Sequence, residues 1–251
     1  MRIPDSSAAA TVAYEEIKRR IIDLEYPPGS KLSEAPLAEE LGLGRSPIRT
    51  AFARLQGEGW VTISPQSGTY VRRPTEAEIA EIYDLRLLLE THATRQAAQN
   101  ISAAQLDDLR REFRRRMPQQ GEKIDERMFD DINELDAIFH ATVYGAAGNS
   151  LVTNILLNLF EKVTWLKKAS PSPPARMKQW GAELRGVLKA LEKRDPDAAA
   201  RRMREHIGQA ADSGSEYRRT HPVPAEKKTA RTKPSAGASR QASRPDRKAV
   251  R

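Results

Sequence analysis

The sequence from Leu32 to Val61 reads LSEAPLAEELGLGRSPIRTAFARLQGEGWV and contains two short runs with apolar residues at helical spacing. The turn Gly42-Leu43-Gly44-Arg45 separates the two runs. The second run places Ile48, Phe52 and Leu55 on one face, and glycines follow it directly. This stretch therefore predicts two helices joined by a tight turn.

The flanking sequence completes a small domain over residues 11–73. Upstream, Tyr14, Ile17 and Ile21 recur at helical spacing and predict a preceding helix. Downstream, the β-branched and aromatic runs at 60–63 and 69–71 surround a polar turn and predict a β-hairpin. This order of helix, helix, turn, helix and hairpin is typical of a winged helix-turn-helix, whose later helix lies in the DNA major groove.

The predicted recognition helix begins with a basic, polar face. Arg45 and Arg49 are four residues apart and share a face with Ser46. Arginines at a helix N-terminus interact unfavourably with the helix dipole, so they do not stabilise the helix there. This favours the interpretation that they bind an external anion. Two arginines solvated on a surface are the alternative. The other candidate DNA contacts are Gly44 at the turn and Gln66, Ser67 and Gly68 at the tip of the hairpin.

The run from Leu32 to Val61, with Pro28-Gly29 before it and Gly68-Thr-Tyr-Val71 after it, resembles the N-terminal domain of GntR-family bacterial transcription regulators. The resemblance covers about residues 14–73. It implies that Arg45, Ser46 and Arg49 read an operator, and that the wing around Gly68 enters the minor groove.

Composition limits the other classes of protein. The chain has 251 residues, no cysteine and a formal net charge of +8, so disulfides and thiolate metal sites are excluded. Residues 216–251 hold 11 Lys/Arg against three Asp/Glu and few large apolar groups, which predicts a disordered basic tail. Residues 1–10 are also predicted to be disordered. A sequence-independent DNA binder driven by the tail is therefore one alternative.

Residues 75–215 read as helices with few breakers. Thr75 with Glu78, and Ser102 with Gln105, form the capping-box pattern that starts a helix. The fold class is accordingly mainly α: a winged helix-turn-helix of three helices plus a β-hairpin, followed by a six- to seven-helix antiparallel bundle.

The most informative residues of the bundle are one aspartate and two histidines. Asp136 and His140 are four residues apart on one helix, and His206 lies on the last helix. A carboxylate and two imidazoles can hold a metal with open positions. A helix-stabilising ion pair is the alternative for the first two. A metal-dependent hydrolase or oxygenase that uses the three residues is the rival function, although no nucleophile motif accompanies them.

The segments Leu85-Arg86-x-x-x-Glu90, Asp136-x-x-Phe139-His140 and Arg204-Glu-His206 resemble the FCD effector domain of the FadR-type branch of that family. The resemblance implies a divalent metal (Zn, Ni, Mn or Fe), held by an Asp and three His near a small carboxylate. Asp136, His140 and His206 match three ligands, whereas Leu184 stands at the fourth position. Glu183 is adjacent but points about 100° away around the helix. A metal held by three ligands is the favoured expectation, and a pocket without a metal, whose polar groups contact the effector directly, is the alternative.

Arg86 resembles the family position that faces this pocket, where a guanidinium can hold a carboxylate in a bidentate fork. A helix-surface pair with Glu90 is the alternative. The remaining candidates for lining the effector pocket are Tyr83, Asn158, Trp165 and Trp180.

These observations together predict a ligand-responsive bacterial transcriptional regulator rather than an enzyme. It is expected to be a repressor that binds a palindromic operator in double-stranded DNA as a homodimer. A small organic acid in the helical domain would release it. No apolar run approaches the length of a membrane span, and residues 1–13 do not form a signal peptide, so a cytoplasmic protein at the nucleoid is expected.

Overall fold

The computed structural model of the chain describes residues 6–117, 126–170 and 174–220. Its N-terminal region contains three helices and three short strands. The helices are α1 (Ser6–Ile22), α2 (Glu34–Glu40) and α3 (Arg45–Gly57), and the strands are β1 (Lys31–Leu32), β2 (Val61–Ser64) and β3 (Gly68–Val71). The predicted winged helix-turn-helix is confirmed, and Lys31–Leu32 adds a third strand to the predicted hairpin.

The three strands form one antiparallel sheet in the order β1-β3-β2. Lys31 pairs with Tyr70, and Val61 pairs with Val71. Because β1 precedes α2, its pairing with β3 ties the hairpin to the helices and fixes the direction in which the wing projects.

The core of this region lies where the three helices meet the sheet. Ile17, Ile48, Phe52 and Trp60 are all at most 1% exposed. Each comes from an apolar position of the sequence pattern, so the periodicity that predicts the helices also selects the residues that hold them together.

The C-terminal region is a helical bundle. Its described helices are α4 (Glu76–Asn100), α5 (Ala103–Arg116), α6 (Glu126–Ala146), α7 (Ser150–Ala169), α8 (Pro174–Glu192) and α9 (Pro196–Thr220). Both predicted capping boxes are present, at Thr75 and Ser102. Helix α4 packs against α6, α7, α8 and α9, so its inner face lies at the centre of the bundle.

The ends of the helices differ from the sequence prediction. Helix α1 begins at Ser6, inside the segment predicted to be disordered, because alanine favours helix and Ala9 and Ala10 are buried. Helix α9 continues to Thr220, five residues into the predicted tail, because no proline interrupts it before Pro222. Residues 1–5 and 221–251, on which the rest of these two predictions falls, lie outside the described residues.

Two further observations bear on function. None of the described helices is long and apolar enough to cross a lipid bilayer. The winged region and the bundle belong to one compact unit of the chain, so contacts between them can be described.

Candidate DNA interface and buried polar site

The recognition helix presents the predicted basic face to solvent. Arg45, Ser46 and Arg49 are exposed at the start of α3, whereas Ile48 and Phe52 are buried against the core. The helical period therefore separates the apolar and basic residues as expected. Arg45 makes no hydrogen bond or ion pair within the described part of the chain, which leaves its guanidinium free for a ligand.

Arg49 is held by a carboxylate of α2. Its Nε and Nη2 atoms donate to Glu34 at 3.2 and 2.9 Å, and the hydrogen bond from Arg49 lowers the pKa of Glu34. The Arg49 side chain is nevertheless 72% exposed. An ion pair this open to water contributes little stability, so Arg49 can exchange Glu34 for another partner.

The wing presents a polar tip. Gln66 and Ser67 are exposed between β2 and β3, and the Tyr70 hydroxyl donates to the Ser67 carbonyl at 3.1 Å. Gly68 has a φ of 123°, and a Cβ there would lie 2.8 Å from the Cε atom of Lys31. The positive φ favours glycine at this position, whereas the flexible end of Lys31 can move away from an added Cβ.

In the bundle, the structure brings the three predicted metal ligands together. Asp136 and His140 on α6 and His206 on α9 are buried, and one ligand atom of each lies within 4.8 Å of the others. The three residues are called the Asp–His–His cluster from here on. They could hold a metal ion, as the sequence predicts.

Each imidazole of the cluster is backed by a carboxylate. Glu90 Oε2 lies 2.9 Å from Nδ1 of His140, and Glu183 Oε2 lies 2.9 Å from Nδ1 of His206. Glu183, which the sequence analysis sets aside as a ligand, therefore orients a histidine instead. Trp180 Nε1 donates to Nε2 of His206 at 2.9 Å, and burial lowers the pKa of His206 to about 4. His206 is therefore a neutral imidazole with partners on both nitrogens.

Arg86 and Glu90 form a buried ion pair at the edge of the cluster. Arg86 Nε donates to Glu90 Oε1 at 2.6 Å, and the two side chains are 2% and 1% exposed. Burial alone would raise the pKa of Glu90, but the charges of Arg86 and His140 lower it to about 2. Arg86 Nη1 has no hydrogen-bond partner among the described residues, so one donor of the fork remains available.

Lys167 on α7 is the cluster neighbour that the sequence analysis does not identify. Its Nζ atom lies 2.7 Å from Asp136 Oδ2 and 3.4 Å from the centre of the Trp180 ring. Burial lowers its pKa to about 8. A sequence signal was present, because Lys167 follows the buried Leu156 and Val163 on one helix face.

These neighbours decide whether a divalent metal fits the cluster. In favour, Asp136 Oδ1 and His140 Nε2 are buried without hydrogen-bond partners among the described residues. Against it, Leu184 is a buried apolar side chain at the fourth ligand position, and Lys167 already neutralises Asp136. A metal bound here would lie beside the positive charge of Lys167 and would have three protein ligands instead of four. The residues therefore do not fit a metal site with four protein ligands.

The remaining predicted effector residues lie in different places. Tyr83 and Trp180 line a cavity of about 30 Å³ next to Lys167, which is room for one or two waters. Trp165 instead lines a cavity of about 280 Å³ between the winged region and the bundle, with its ring 5.7 Å from that of Trp60. Asn158 is exposed, and its Nδ2 atom donates to the carbonyl of Asn154.

The fold and the two sites define a class: a DNA-binding regulator whose winged helix-turn-helix is joined to a helical bundle with a polar interior. The chain belongs to the gntR family of bacterial regulatory proteins, whose model matches residues 9–71, and residues 81–209 match the FCD domain. It is therefore a DNA-binding transcriptional regulator and not an enzyme, which removes the rival metal-dependent hydrolase or oxygenase. The FCD domain implies a small-molecule effector.

Relatives with known names agree with this family. The chain is 29% identical over 208 residues to the HTH-type transcriptional repressor RspR of Escherichia coli, covering 82% of this chain and 88% of that one. It is 31% identical over 154 residues to the gluconate operon transcriptional repressor of Bacillus subtilis, covering 61% of each. Among solved structures, E. coli McbR/YncC is similar in fold, with a TM-score of 0.69 and 19% identity over 83% of this chain and 97% of that one.

Proposed function

We propose that the protein is a ligand-responsive repressor that binds a palindromic operator as a homodimer and leaves it when a small carboxylate binds the bundle. The observation that carries this proposal is the exposed pair of guanidinium groups of Arg45 and Arg49 on the outer face of α3. Arginine is the usual donor to the O6 and N7 atoms of guanine in the major groove. Such a regulator acts on the chromosome, and hence in the cytoplasm.

The dimer is supported by an apolar surface on two neighbouring helices of the bundle. Leu88 on α4 is 69% exposed, and Leu151 and Ile155 on α7 are 74% and 47% exposed. Helices α4 and α7 pack against each other, so these side chains lie on adjoining elements. A second copy of the chain is the occupant that we propose, because two-fold symmetry would place two recognition helices on one palindrome.

The carboxylate effector is supported by the cationic groups around the small cavity. Lys167 and Arg176 line it, and Arg86 keeps an unpartnered donor nearby in the bundle. A buried guanidinium donor without a partner is costly, and a carboxylate oxygen would satisfy it. A cavity of about 30 Å³ admits a small acid only if side chains around it move, which would couple binding to a change of structure.

Helix α7 is the element through which we propose that this change reaches the DNA-binding region. Lys167 contacts Asp136 in the bundle, whereas the next residue, Lys168, contacts Asp23 at 2.6 Å beyond the end of α1. Six residues before Lys168 on the same helix, Lys162 Nζ donates to the Glu58 carbonyl at 2.7 Å. A shift of α7 would therefore change contacts in both the bundle and the winged region. Such a shared element is the physical requirement for coupling between two sites.

The metal that the sequence analysis favours would be held by Asp136 Oδ1, His140 Nε2 and a nitrogen of His206. The carboxylates behind the two imidazoles support this assignment, because metal-bound histidines commonly donate their other N–H to such a group. Bound there, a metal would polarise a carboxylate ligand. The ammonium group of Lys167 beside Asp136 disfavours the binding of a metal. No step of the proposed response depends on a metal.

Selection of duplexes by the purified full chain tests the proposal directly. From a random library, we expect enrichment of a pseudo-palindrome whose half-sites are about one helical turn apart. Light scattering on the selected duplex should give two chains per site. Leu88→Glu should lower this occupancy toward one chain, whereas Val12→Glu, at an exposed apolar residue of α1, should not. Retention of random duplexes without enrichment would contradict the proposal.

A further inference from the structure

We propose that the ammonium group of Lys167 takes the place of a divalent cation at the Asp–His–His cluster, so that this pocket is complete without a metal. In this arrangement, Lys167 supplies the positive charge that faces Asp136.

The position of Lys167 is fixed by its helix and by an aromatic ring. Its side chain is 17% exposed and that of Asp136 is 2% exposed, with 2.7 Å between Nζ and Oδ2. The Trp180 ring lies under the same ammonium at 3.4 Å, where the negative face of the indole attracts a cation. Both contacts hold the charge beside the carboxylate that would otherwise bind a metal.

The charges of the pocket balance without a metal. Three carboxylates each have their own cation: Arg86 faces Glu90, Lys167 faces Asp136, and Arg176 faces Glu183. A divalent ion would add two positive charges to a buried set in which each carboxylate already faces a cation. Uncompensated buried charge is strongly unfavourable, so such an ion would need a further anion to remain.

The available ligand atoms also disfavour a metal at the Asp–His–His cluster. Leu184 is only 2% exposed, occupies the position at which the FCD resemblance implies a fourth ligand, and offers no donor atom. The indole N–H of Trp180 donates to Nε2 of His206, while Glu183 lies on the other ring nitrogen. A metal could use His206 only after one of these contacts breaks.

The pocket then takes a small carboxylate by direct contact with an ammonium and a guanidinium rather than through a metal. This part of the inference rests on the proposed effector response. The claim that Lys167 replaces the cation does not, because it concerns only how the pocket is neutralised.

Metal titration of the full chain tests the claim. After dialysis against EDTA, the wild-type chain, Lys167→Met and Lys167→Met/Leu184→His are titrated with Mn²⁺ and with Zn²⁺ in a calorimeter. We expect no stoichiometric binding at micromolar metal for the wild type. The double variant, which gains a fourth ligand and loses the competing charge, should bind one equivalent at least about 100-fold more tightly than the wild type.

Thermal melting of the same proteins provides a second readout. Lys167→Met removes the ammonium group that faces the buried Asp136 and leaves His140 as its neighbour, so the Tm of the variant in EDTA should fall by on the order of 10 °C. Added Mn²⁺ or Zn²⁺ should restore part of that loss, whereas neither EDTA nor metal should move the Tm of the wild type. Lys168→Met is the matched control, because its exposed pair with Asp23 contributes little and its Tm should be unaffected by metal.

Two results would overturn the inference. One is a wild-type chain that binds a single equivalent of Mn²⁺ or Zn²⁺ at micromolar concentration and melts higher with it. The other is a folded Lys167→Met variant whose metal affinity equals that of the wild type. If Lys167→Met does not fold, the wild-type titration alone still decides between the two readings. Because neither measurement uses DNA or an effector, failure here would leave the repressor proposal standing.

Discussion

Two of the arginine–glutamate pairs among the described residues have nearly the same chemistry in opposite surroundings. In the winged region, Arg49 and Glu34 are 72% and 33% exposed, whereas in the bundle Arg86 and Glu90 are 2% and 1% exposed. Water screens the first pair, so its partners can be exchanged at little cost. The second pair has no water to replace a lost partner, so breaking it leaves a buried charge.

This difference explains why the same side chain serves two purposes in one molecule. Arg45 has no hydrogen bond or ion pair among the described residues, and Arg49 has a water-exposed pair with Glu34, so both side chains can turn toward an operator. Arg86 is held in place, and its remaining donor Nη1 offers a fixed point in the interior rather than a mobile one. Exposure thus distinguishes Arg49, which can exchange its partner, from Arg86, which is held in the interior.

The largest effect is expected from breaking the buried pair. Glu90→Gln keeps the shape of the side chain but leaves Arg86 charged and unpaired, so the free energy of unfolding should fall by about 3–5 kcal/mol. Urea unfolding measures this. A loss below about 1 kcal/mol, equal to that of an exposed pair, would show that the interior is wetter than the structure implies.

The buried pair should also make stability depend on pH. The charges of Arg86 and His140 hold the pKa of Glu90 at about 2, below its usual value of 4.5. The ionised carboxylate therefore adds stability above pH 4.5, which is lost as the pH falls toward 2. The contribution is on the order of 3 kcal/mol. Urea unfolding from pH 6 to pH 3 should show a steeper loss for the wild type than for Glu90→Gln, and parallel curves would contradict this.

The smallest effect is expected from breaking the exposed pair. Glu34→Gln should change the free energy of unfolding by less than about 1 kcal/mol, because the pair is screened by water. It should raise the affinity for DNA at low salt, since it removes a negative charge beside Arg49. Fluorescence anisotropy at two salt concentrations measures this, and weaker binding by the variant would show that Glu34 positions Arg49 for the operator.

Much of the winged region could be predicted from the sequence, because its elements follow local signals. The glycine-containing turn, the period of Ile48 and Phe52, and the capping box at Thr75 each act within a few residues. The polar faces follow from the same periods. The start of α1 and the end of α9 differ from the sequence prediction, because alanine favours helix at the first and no proline interrupts the second before Pro222.

The buried pocket was harder to predict because it is assembled from distant segments. Asp136, His140 and His206 come together as expected, but Lys167 and Glu183 reach them through the packing of α7 and α8. Periodicity places a residue on a face without telling which neighbour that face meets. For the same reason Trp165 and Asn158, chosen as pocket residues, lie at the domain junction and on the surface.

The central claim is that Arg45 and Arg49 read base edges, and the ratio of affinities for the selected and random duplexes tests it most directly. For Arg45→Gln/Arg49→Gln, the account predicts a smaller ratio. The difference between the binding free energies of the two duplexes should fall by at least about 2 kcal/mol, since each arginine–guanine pair contributes about 1–3 kcal/mol. Arg54→Gln, which removes one positive charge from α3 at a residue held by Glu58, should leave the ratio unchanged. An unchanged ratio in a folded double variant would contradict the claim.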